Sequence, residues 1–329
     1  MKQLHARFPR RQRGMSLAEI MIGLLLSMLI MVGMGSLFIQ SKRSYDQDEQ
    51  IARMQEDARF ALTELVRDIS LAGFWATMLD GQNVTLDASL TLATDCGPAA
   101  WAGADEWIYT AVPAVAQIDN ATAAEAAAAF SCIDADEFQA GTDVISIKKL
   151  QGAETEVADL VTGEVYFETN GTIGILFEHD PVPGTAAPVS YWSYLPMIYY
   201  IRNYSVSAGD GIPALCRKTM VSSPTPDITT ECLAEGIEDF QVEFGVDTDG
   251  DGIANQYKSD PTAVEMEDVT AVRIYILSRS TDQDFSYTNE KTYMLANAPD
   301  YVPDDNYYRR TYTTTILMRN PANLNRLGE

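Results

Sequence analysis

The chain has few of the residues that most often carry catalysis or bind metals. Its 329 residues include two histidines, His5 and His179, and four cysteines, no two of which form a Cys-x-x-Cys pair. Histidine supplies many general bases and metal ligands, so catalytic and zinc sites are short of candidates. No Gly-x-Ser-x-Gly turn, phosphate-binding loop or His-Glu-x-x-His motif is present either. These absences predict a protein that is not an enzyme and requires no cofactor.

Basic residues are also scarce, and they are unevenly placed. Lys and Arg total 23 against 47 Asp and Glu, which gives a formal net charge of −24. Residues 1–14 hold five of the basic side chains and no acidic one, so their removal would leave a net charge of −29. A body this acidic repels nucleic acid backbones, and we expect no nucleic acid partner. It suits calcium ions or basic partners, although solubility alone also explains such a surface.

One uncharged run is long enough to cross a bilayer. From Ile20 to Ser41 there are 22 residues without a charged side chain, and about 20 apolar residues suffice for a transmembrane helix. Basic residues precede the run and the acidic bulk follows it. This asymmetry predicts a single-pass protein with its N-terminus in the cytoplasm and its large domain outside. Glu19 lies at the start of the run, where an unpaired carboxylate in hydrocarbon costs about 3 kcal/mol or more.

The basic leader gives way to the apolar run at Gly14–Met15. A secretory signal peptide has its cleavage site after a shorter apolar core, whereas this boundary lies before the core. Cleavage after Gly14 would remove the leader and leave the apolar helix on the mature protein. We therefore divide the chain into a cleaved leader (1–14), a transmembrane helix (15–41), an amphipathic continuation of the helix (42–74) and an exported domain (75–329).

The continuation of the helix beyond the membrane is predicted from periodicity. No proline occurs from Met15 to Phe74. Past Ser41, apolar residues recur at steps of three and four with charged residues between them, which is typical of a one-sided helix packed on a globular domain. The apolar stripe comprises Ile51, Met54, Ala58, Ala61 or Leu62, Leu65, Ile69 and Ala72.

The exported part is predicted to be rich in β-strands. Short runs of β-branched and aromatic residues predict strands at 143–150, 164–169, 172–178, 197–202, 237–246, 269–280 and 312–319. Residues 121–130 favour a short helix, and 180–188 and 222–227 are typical of loops. A helical spine with an antiparallel sheet laid on its apolar stripe is an α+β plan.

The four cysteines all follow the apolar run. Four cysteines permit three pairings. We favour the sequential pairs Cys96–Cys132 and Cys216–Cys232, because each closes a short local loop. Four buried free thiols are the alternative, but export favours disulfides.

One loop has the spacing of metal ligands. In "DTDGDGIANQYK", residues 247–258, Asp247, Asp249 and Asp251 occupy positions 1, 3 and 5 of a calcium loop, and Gly252 occupies position 6. Further candidate ligands are the carbonyl of Ile253 at position 7, Asn255 at position 9 and, in a longer loop, Asp260. Position 12 is Lys258, where an EF-hand has a bidentate glutamate, so calcium affinity is expected to be weak. A solvated turn that follows the strand 237–246 explains the same residues.

The N-terminal stretch "RGMSLAEIMIGLLLSMLI", residues 13–30, resembles the class III signal of type IV pilins and type II secretion pseudopilins. The resemblance implies that a prepilin peptidase cuts after Gly14 and methylates the new terminus at Met15. It also implies that Glu19 is the glutamate at the fifth mature position, which takes part in assembly. Met15 departs from the usual phenylalanine after the cut, and Ala18 departs from the usual isoleucine before the glutamate.

Several blocks further along resemble PilW-type minor pilins. They are "DISLAGFWA" (68–76), "YYIRNY" (199–204) with "GIPALCRK" (211–218), "EGIEDFQVEFGVDTDGDG" (235–252) and "RRTYTTTILMRN" (309–320). The resemblance implies a pilin-like fold and a low-abundance subunit that helps to start pilus assembly near the tip, with other minor pilins and the major pilin as partners. The inner membrane would hold the precursor, and the pilus the mature protein.

Two other functions stay open at this stage. The last block also resembles the J-type pseudopilin of type II secretion, which would place the chain in a secretion piston. A calcium-dependent tip adhesin is a rival of another class, suggested by the aspartate-rich loop. Loss of pili and twitching motility, as against loss of exoprotein secretion, separates the first two.

Overall fold

The computed structural model describes residues 14–79, 81–87, 90, 96–97, 107–111, 113–179, 189–221, 226–318 and 320. The chain forms two compact units, Met1–Glu49 and Gln50–Glu329. A single helix, α1 (Leu17–Ser70), supplies residues to both units. The basic leader up to residue 13 and the predicted loop 180–188 lie outside the described residues.

The first unit consists, in its described part, of the apolar half of α1. Every residue from 14 to 48 is exposed, including large side chains such as Leu17, Met28 and Phe38. Within the described residues, α1 is the one helix long and apolar enough to span a membrane. A helix that is apolar all round needs lipid or other helices as surroundings, and nothing described in this chain covers it.

In the second unit, α1 packs through the stripe that the sequence predicts. The residues buried along it are Met54, Ala58, Ala61, Leu65, Asp68 and Ile69. The helix ends at Ser70, and the chain turns through Gly73, which has φ +70° and donates its N–H to the carbonyl of Lys148 at 3.0 Å. Glycine adopts this left-handed conformation without steric cost, so the turn ties the end of the helix to the sheet.

Twelve strands in the described residues form two sheets. The larger sheet contains β1 (Val84–Leu86), β2 (Val115–Ala121), β3 (Thr142–Leu150), β4 (Val165–Thr169), β5 (Gly174–Glu178), β6 (Ser190–Arg202), β7 (Ala214–Val221) and β8 (Asp227–Glu235). Its main path runs β1-β5-β4-β6-β3-β2, with β7 paired to β6 and β8 paired to β7. All pairings are antiparallel except β1 with β5.

The smaller sheet contains β9 (Ile237–Val246), β10 (Gln256–Lys258), β11 (Val269–Arg279) and β12 (Arg309–Leu317), in the order β10-β9-β11-β12. β10 covers only residues 244–246 of β9, which leaves the earlier part of that edge to other partners. The α+β plan predicted from the sequence is therefore confirmed, and the sheet is divided into two.

The main core lies where α1 meets both sheets. It combines helix residues such as Ala61 and Leu65 with Ile147 and Tyr199 of the larger sheet and Ile274 of the smaller one. A second core lies on the other side of the larger sheet and is rich in aromatic residues, among them Trp75, Trp107, Phe167 and Tyr194. The larger sheet is thus buried on both faces, which explains why β3 and β4 have no exposed residue.

Most predicted elements are present, with shifted ends. The strand at 237–246 has the predicted bounds, while the strand predicted at 197–202 begins at Ser190 and the one predicted at 312–319 spans Arg309–Leu317. The helix predicted at 121–130 is α2 (Ala123–Ala129), which begins with a capping box between Thr122 and Glu125. The predicted loop at 222–227 is wrong at its end, since Asp227 opens β8, and residues 222–225 lie outside the described residues.

A cluster of buried charges holds α1 on the larger sheet. We call Glu64, Asp68, Lys149, Tyr199 and Arg217 the Asp68 cluster. The ammonium of Lys149 lies 2.6 Å from Asp68 Oδ1, and the hydroxyl of Tyr199 donates to Asp68 Oδ2. Arg217 lies 3.5 Å from both Glu64 and Asp68. Asp68 is fully buried, so each of its oxygens has a partner where no water is available.

Removal of one member of this cluster should be costly. We expect Asp68→Ala to lower the free energy of unfolding by about 3–5 kcal/mol, because it leaves the buried ammonium of Lys149 without a partner. Thermal or denaturant unfolding of the full chain in detergent measures the effect. Lys149→Met in the same chain should restore part of the loss. Asp159→Ala, at an exposed carboxylate, is the control, and an equal effect of the two alanine variants would contradict the prediction.

Candidate functional site

The first turn of α1 is organised by two reciprocal hydrogen bonds. The N–H of Ser16 donates to Glu19 Oε2 at 2.8 Å, and the N–H of Glu19 donates to Ser16 Oγ at 3.2 Å. This is a capping box, in which a serine before the helix and a glutamate three residues later satisfy each other's free donors. Glu19 therefore starts the helix as well as carrying a charge.

The two residues before the cap are not constrained by the fold. Gly14 and Met15 are exposed and lie before the helix. A Cβ atom placed on Gly14 would meet no described atom within 4 Å, and its φ is not in the left-handed region. Folding of the described chain thus gives no reason for a glycine at position 14.

The aspartate loop, which we define as Asp247–Asn255, connects β9 to β10. One carboxylate oxygen from each of Asp247, Asp249 and Asp251 lies within 4.8 Å of the others. Asp247 is 3% exposed, whereas Asp249 and Asp251 are exposed. Three oxygens at this separation on one loop have the chemistry that calcium prefers.

Hydrogen bonds from the backbone account for much of this geometry. Asp247 Oδ1 accepts the N–H of Gly250 at 2.8 Å, and Asp247 Oδ2 accepts the N–H of Gly252 at 2.6 Å. Both glycines have positive φ, +80° and +82°. Burial alone would raise the pKa of Asp247, but the N–H donors of Gly252, Gly250 and Asp249 outweigh it, and the pKa lies below its usual value. Asp247 is therefore ionised in the folded loop at neutral pH.

The other candidate ligands differ in how they are placed. The side chain of Asn255 faces the loop, where it donates to Asp249 Oδ2 at 3.3 Å and accepts the N–H of Thr248 at 2.8 Å. Asp260 is not part of the carboxylate group. Lys258 at position 12 forms an ion pair with Glu265. The structure thus brings together the first half of a calcium loop and leaves the second half without a carboxylate.

The cysteines form the two sequential pairs that the sequence analysis favours. Cys96 is bonded to Cys132, and Cys216 is bonded to Cys232. Cys216 and Cys232 lie directly opposite each other on β7 and β8, so this disulfide crosses between neighbouring strands. It fixes β8, which is the last strand on that side of the larger sheet.

Two features of the site were not anticipated from the sequence. The pairing of Ser16 with Glu19 is signalled by the spacing Ser-x-x-Glu before an apolar run, which is readable in the sequence. The Asp68 cluster has no local signal, because Asp68 and Lys149 are 81 residues apart and meet only in the fold.

Comparison with known proteins gives one match. Residues 198–320 match the model of the PilW family, described as type IV pilus-assembly protein W. No curated protein and no solved structure matches the chain. The matched range contains β7 to β12, the aspartate loop and the Cys216–Cys232 disulfide. It includes every block of PilW-like sequence noted above except "DISLAGFWA", which supplies Asp68.

Calcium binding at the aspartate loop stays a prediction that calorimetry can test. We expect the full chain in detergent to bind calcium with a dissociation constant of about 0.1–1 mM, the range of weak extracellular sites. Asp249→Asn combined with Asp251→Asn should abolish the heat of binding, because two of the three clustered carboxylates are lost. Asp260→Asn is the matched control and should bind as the unaltered chain does. No heat and no thermal shift at millimolar calcium would show that the loop is only a turn.

Proposed function

We propose that this chain, whose residues 198–320 match the PilW family of type IV pilus assembly proteins, is a minor pilin that enters the pilus by its N-terminal helix. One observation carries the proposal: the same chain joins a PilW-type domain to an exposed apolar helix with a carboxylate in its first turn. A carboxylate in that position weakens a simple membrane anchor, so it requires another role.

The first step of this role is processing between Gly14 and Met15. The lack of any steric reason for glycine at position 14 supports recognition by a prepilin peptidase. Cleavage there removes five basic side chains and creates a new amine at Met15. The helix already begins at Leu17, so the cut changes the charge at its start without requiring the helix to refold. Methylation of the new amine would keep its positive charge.

The second step is assembly, in which Glu19 determines the register between helices. Its Oε2 atom accepts the N–H of Ser16, and a carboxylate can accept further bonds at the same time. A neighbouring subunit's N-terminal amine is a suitable donor among packed helices. An incorrect stagger would leave an amine and a carboxylate unpaired in an apolar environment, at a cost of several kcal/mol. The pair therefore selects one alignment.

Charge supports a low-copy role beside other subunits. Without the leader the chain carries a formal charge of −29, and copies of so acidic a body repel each other. A filament built from this chain alone is therefore disfavoured, whereas other minor pilins and the major pilin can separate the copies. We place the precursor in the inner membrane with its domain in the periplasm, and the mature protein near the pilus tip, where assembly starts.

Two alternatives make different predictions. A J-type pseudopilin would leave piliation and twitching intact when lost, but would stop exoprotein secretion. A calcium-dependent tip adhesin would require the aspartate loop, so Asp249→Ala would abolish attachment to a surface and leave pilus number unchanged. None of these roles involves catalysis, and the description of the matched family is that of an assembly protein.

Substitution of Glu19 tests the assembly step. We expect both Glu19→Ala and Glu19→Gln to insert in the membrane but to be missing from sheared pili, because both lack the charge that pairs with a neighbour's amine. Glutamine keeps an oxygen that can accept the N–H of Ser16, so the two variants separate capping from charge. Incorporation is measured by immunoblot of pilus and membrane fractions. Glu56→Gln, at an exposed position of α1, is the control, and normal incorporation of Glu19→Gln would refute the pairing role.

The mass and N-terminal sequence of the protein recovered from membranes test the processing step. We expect a chain that begins at methylated Met15, because cleavage after Gly14 leaves the apolar helix intact. Gly14→Leu should block the cut and keep the leader, while thermal unfolding of the domain stays unchanged. A mature chain that begins elsewhere would contradict both the processing step and the pilin role.

A further inference from the structure

Asp143, at the start of β3, is a buried carboxylate that the proposed function does not use. It is fully buried. Its Oδ1 atom accepts the N–H of Asn120 on β2 at 2.8 Å, and its Oδ2 atom accepts the N–H of Val242 on β9 at 2.7 Å. Since β2 and β3 belong to the larger sheet and β9 to the smaller one, this single side chain joins the two sheets.

The position of Val242 explains why a side chain is needed there. β10 pairs with β9 only at residues 244–246, so the outward N–H of Val242 has no strand to bind. Gln241 adds a second bond between the sheets, from its Nε2 atom to the carbonyl of Gly141 at 3.0 Å. We call Asp143, Gln241 and the backbone of Asn120 and Val242 the sheet joint.

The charges around the joint are unfavourable for a carboxylate. Burial raises the pKa of Asp143 to about 8, against the two N–H donors, which lower it. The charged groups that act on Asp143 from the packed strands are Asp119 on β2 and Asp239 on β9, and both raise its pKa. From the loop between β11 and β12, the neutral side chain of Asn297 donates through its Nδ2 atom to Asp119.

Two buried acceptor atoms in the residues of the sheet joint indicate that Asp143 is protonated. Asn120 Oδ1 and Gln241 Oε1 are buried, and neither accepts a hydrogen bond from the described residues. Asn120 is the residue whose N–H donates to Asp143, and Gln241 immediately precedes Val242, whose N–H also donates to Asp143. A neutral carboxyl group has one O–H donor, which an ionised one lacks, and buried acceptors without a donor are costly.

We propose that Asp143 holds a proton in the folded protein at neutral pH and that loss of this proton weakens the joint between the two sheets. In the neutral form the carboxyl still accepts from the backbone and gains one O–H donor. In the ionised form a third negative charge appears between Asp119 and Asp239.

The sign of the pH dependence follows from the raised pKa. A carboxyl whose pKa is higher in the folded state stabilises the fold most at low pH, and this stabilisation is lost as pH rises towards the folded pKa of about 8. Asp239 has a folded pKa of about 6, raised chiefly by burial, so its contribution is lost at lower pH. Between about pH 6.5 and about 8, Asp143 therefore contributes to the slope of stability against pH and Asp239 does not.

Asp143→Asn tests the proposal, because an amide has the shape of a neutral carboxyl and cannot ionise. Its nitrogen cannot accept a hydrogen bond, so one of the two N–H donors at Asn120 and Val242 loses its acceptor in the variant. We expect the full-length variant in detergent to fold. Between about pH 6.5 and about 8, the folding equilibrium constant of the unaltered chain should fall about tenfold per pH unit relative to the variant. Asp239→Asn is the matched control, which should remove slope only below about pH 6 and keep the slope above it.

Infrared spectroscopy provides a direct second measurement. The carbonyl stretch of a protonated buried carboxyl should be present in the unaltered chain at neutral pH and disappear above the pKa of about 8, and at neutral pH it should be absent from Asp143→Asn. Parallel stability curves for the two chains, or no carboxyl band at neutral pH, would each overturn the proposal.

Discussion

The ion pair between Asp68 and Lys149 is the contact on which the arrangement of the second unit depends. Asp68 lies on the buried stripe of α1, two residues before the helix ends, and Lys149 lies on a strand that is buried on both faces. Neither charge is tolerable there alone. Tyr199 and Arg217 bind the same carboxylate from β6 and β7, so three strands are positioned against one side chain of the helix. Apolar packing holds α1 to the sheets, and the pair specifies which rotation and depth it takes.

The parts that were predictable from the sequence are those with a local signal. The helix, its buried stripe and the strand at 237–246 follow from periodicity and composition, and the disulfides follow from short loops. The strands β7 and β8 were missed because their residues, such as Arg217, Lys218 and Glu231, are charged or polar; they are held by pairing with β6 and by the Cys216–Cys232 bond. The division into two sheets, the Asp68 cluster and the sheet joint arise from residues far apart in sequence, and no local pattern contains that information.

Hydrogen bonds to the backbone explain part of the acidic composition of the chain. Glu19, Glu125, Asp210 and Asp247 each accept N–H groups of the backbone at a helix start or a turn. A carboxylate at such a point satisfies donors that have no partner in regular structure. Part of the excess negative charge is therefore a means of ending and joining elements. The same reasoning explains why the aspartate loop has a defined shape by hydrogen bonding alone, whether or not it also binds an ion.

Because no described atom constrains the side chain at position 14, substitutions there and substitutions in the core should have different effects. A Cβ atom added at Gly14 would meet no described atom within 4 Å, whereas Leu65 belongs to the main core and Asp68 is fully buried. If the proposed cleavage after Gly14 takes place, a substitution at Gly14 would prevent recognition by the peptidase and leave a folded but uncut protein to accumulate. A substitution in the core would instead destabilise the fold and lower the amount of protein. The amount of this protein in the membrane would therefore distinguish the two classes of mutant before the pilus itself is examined.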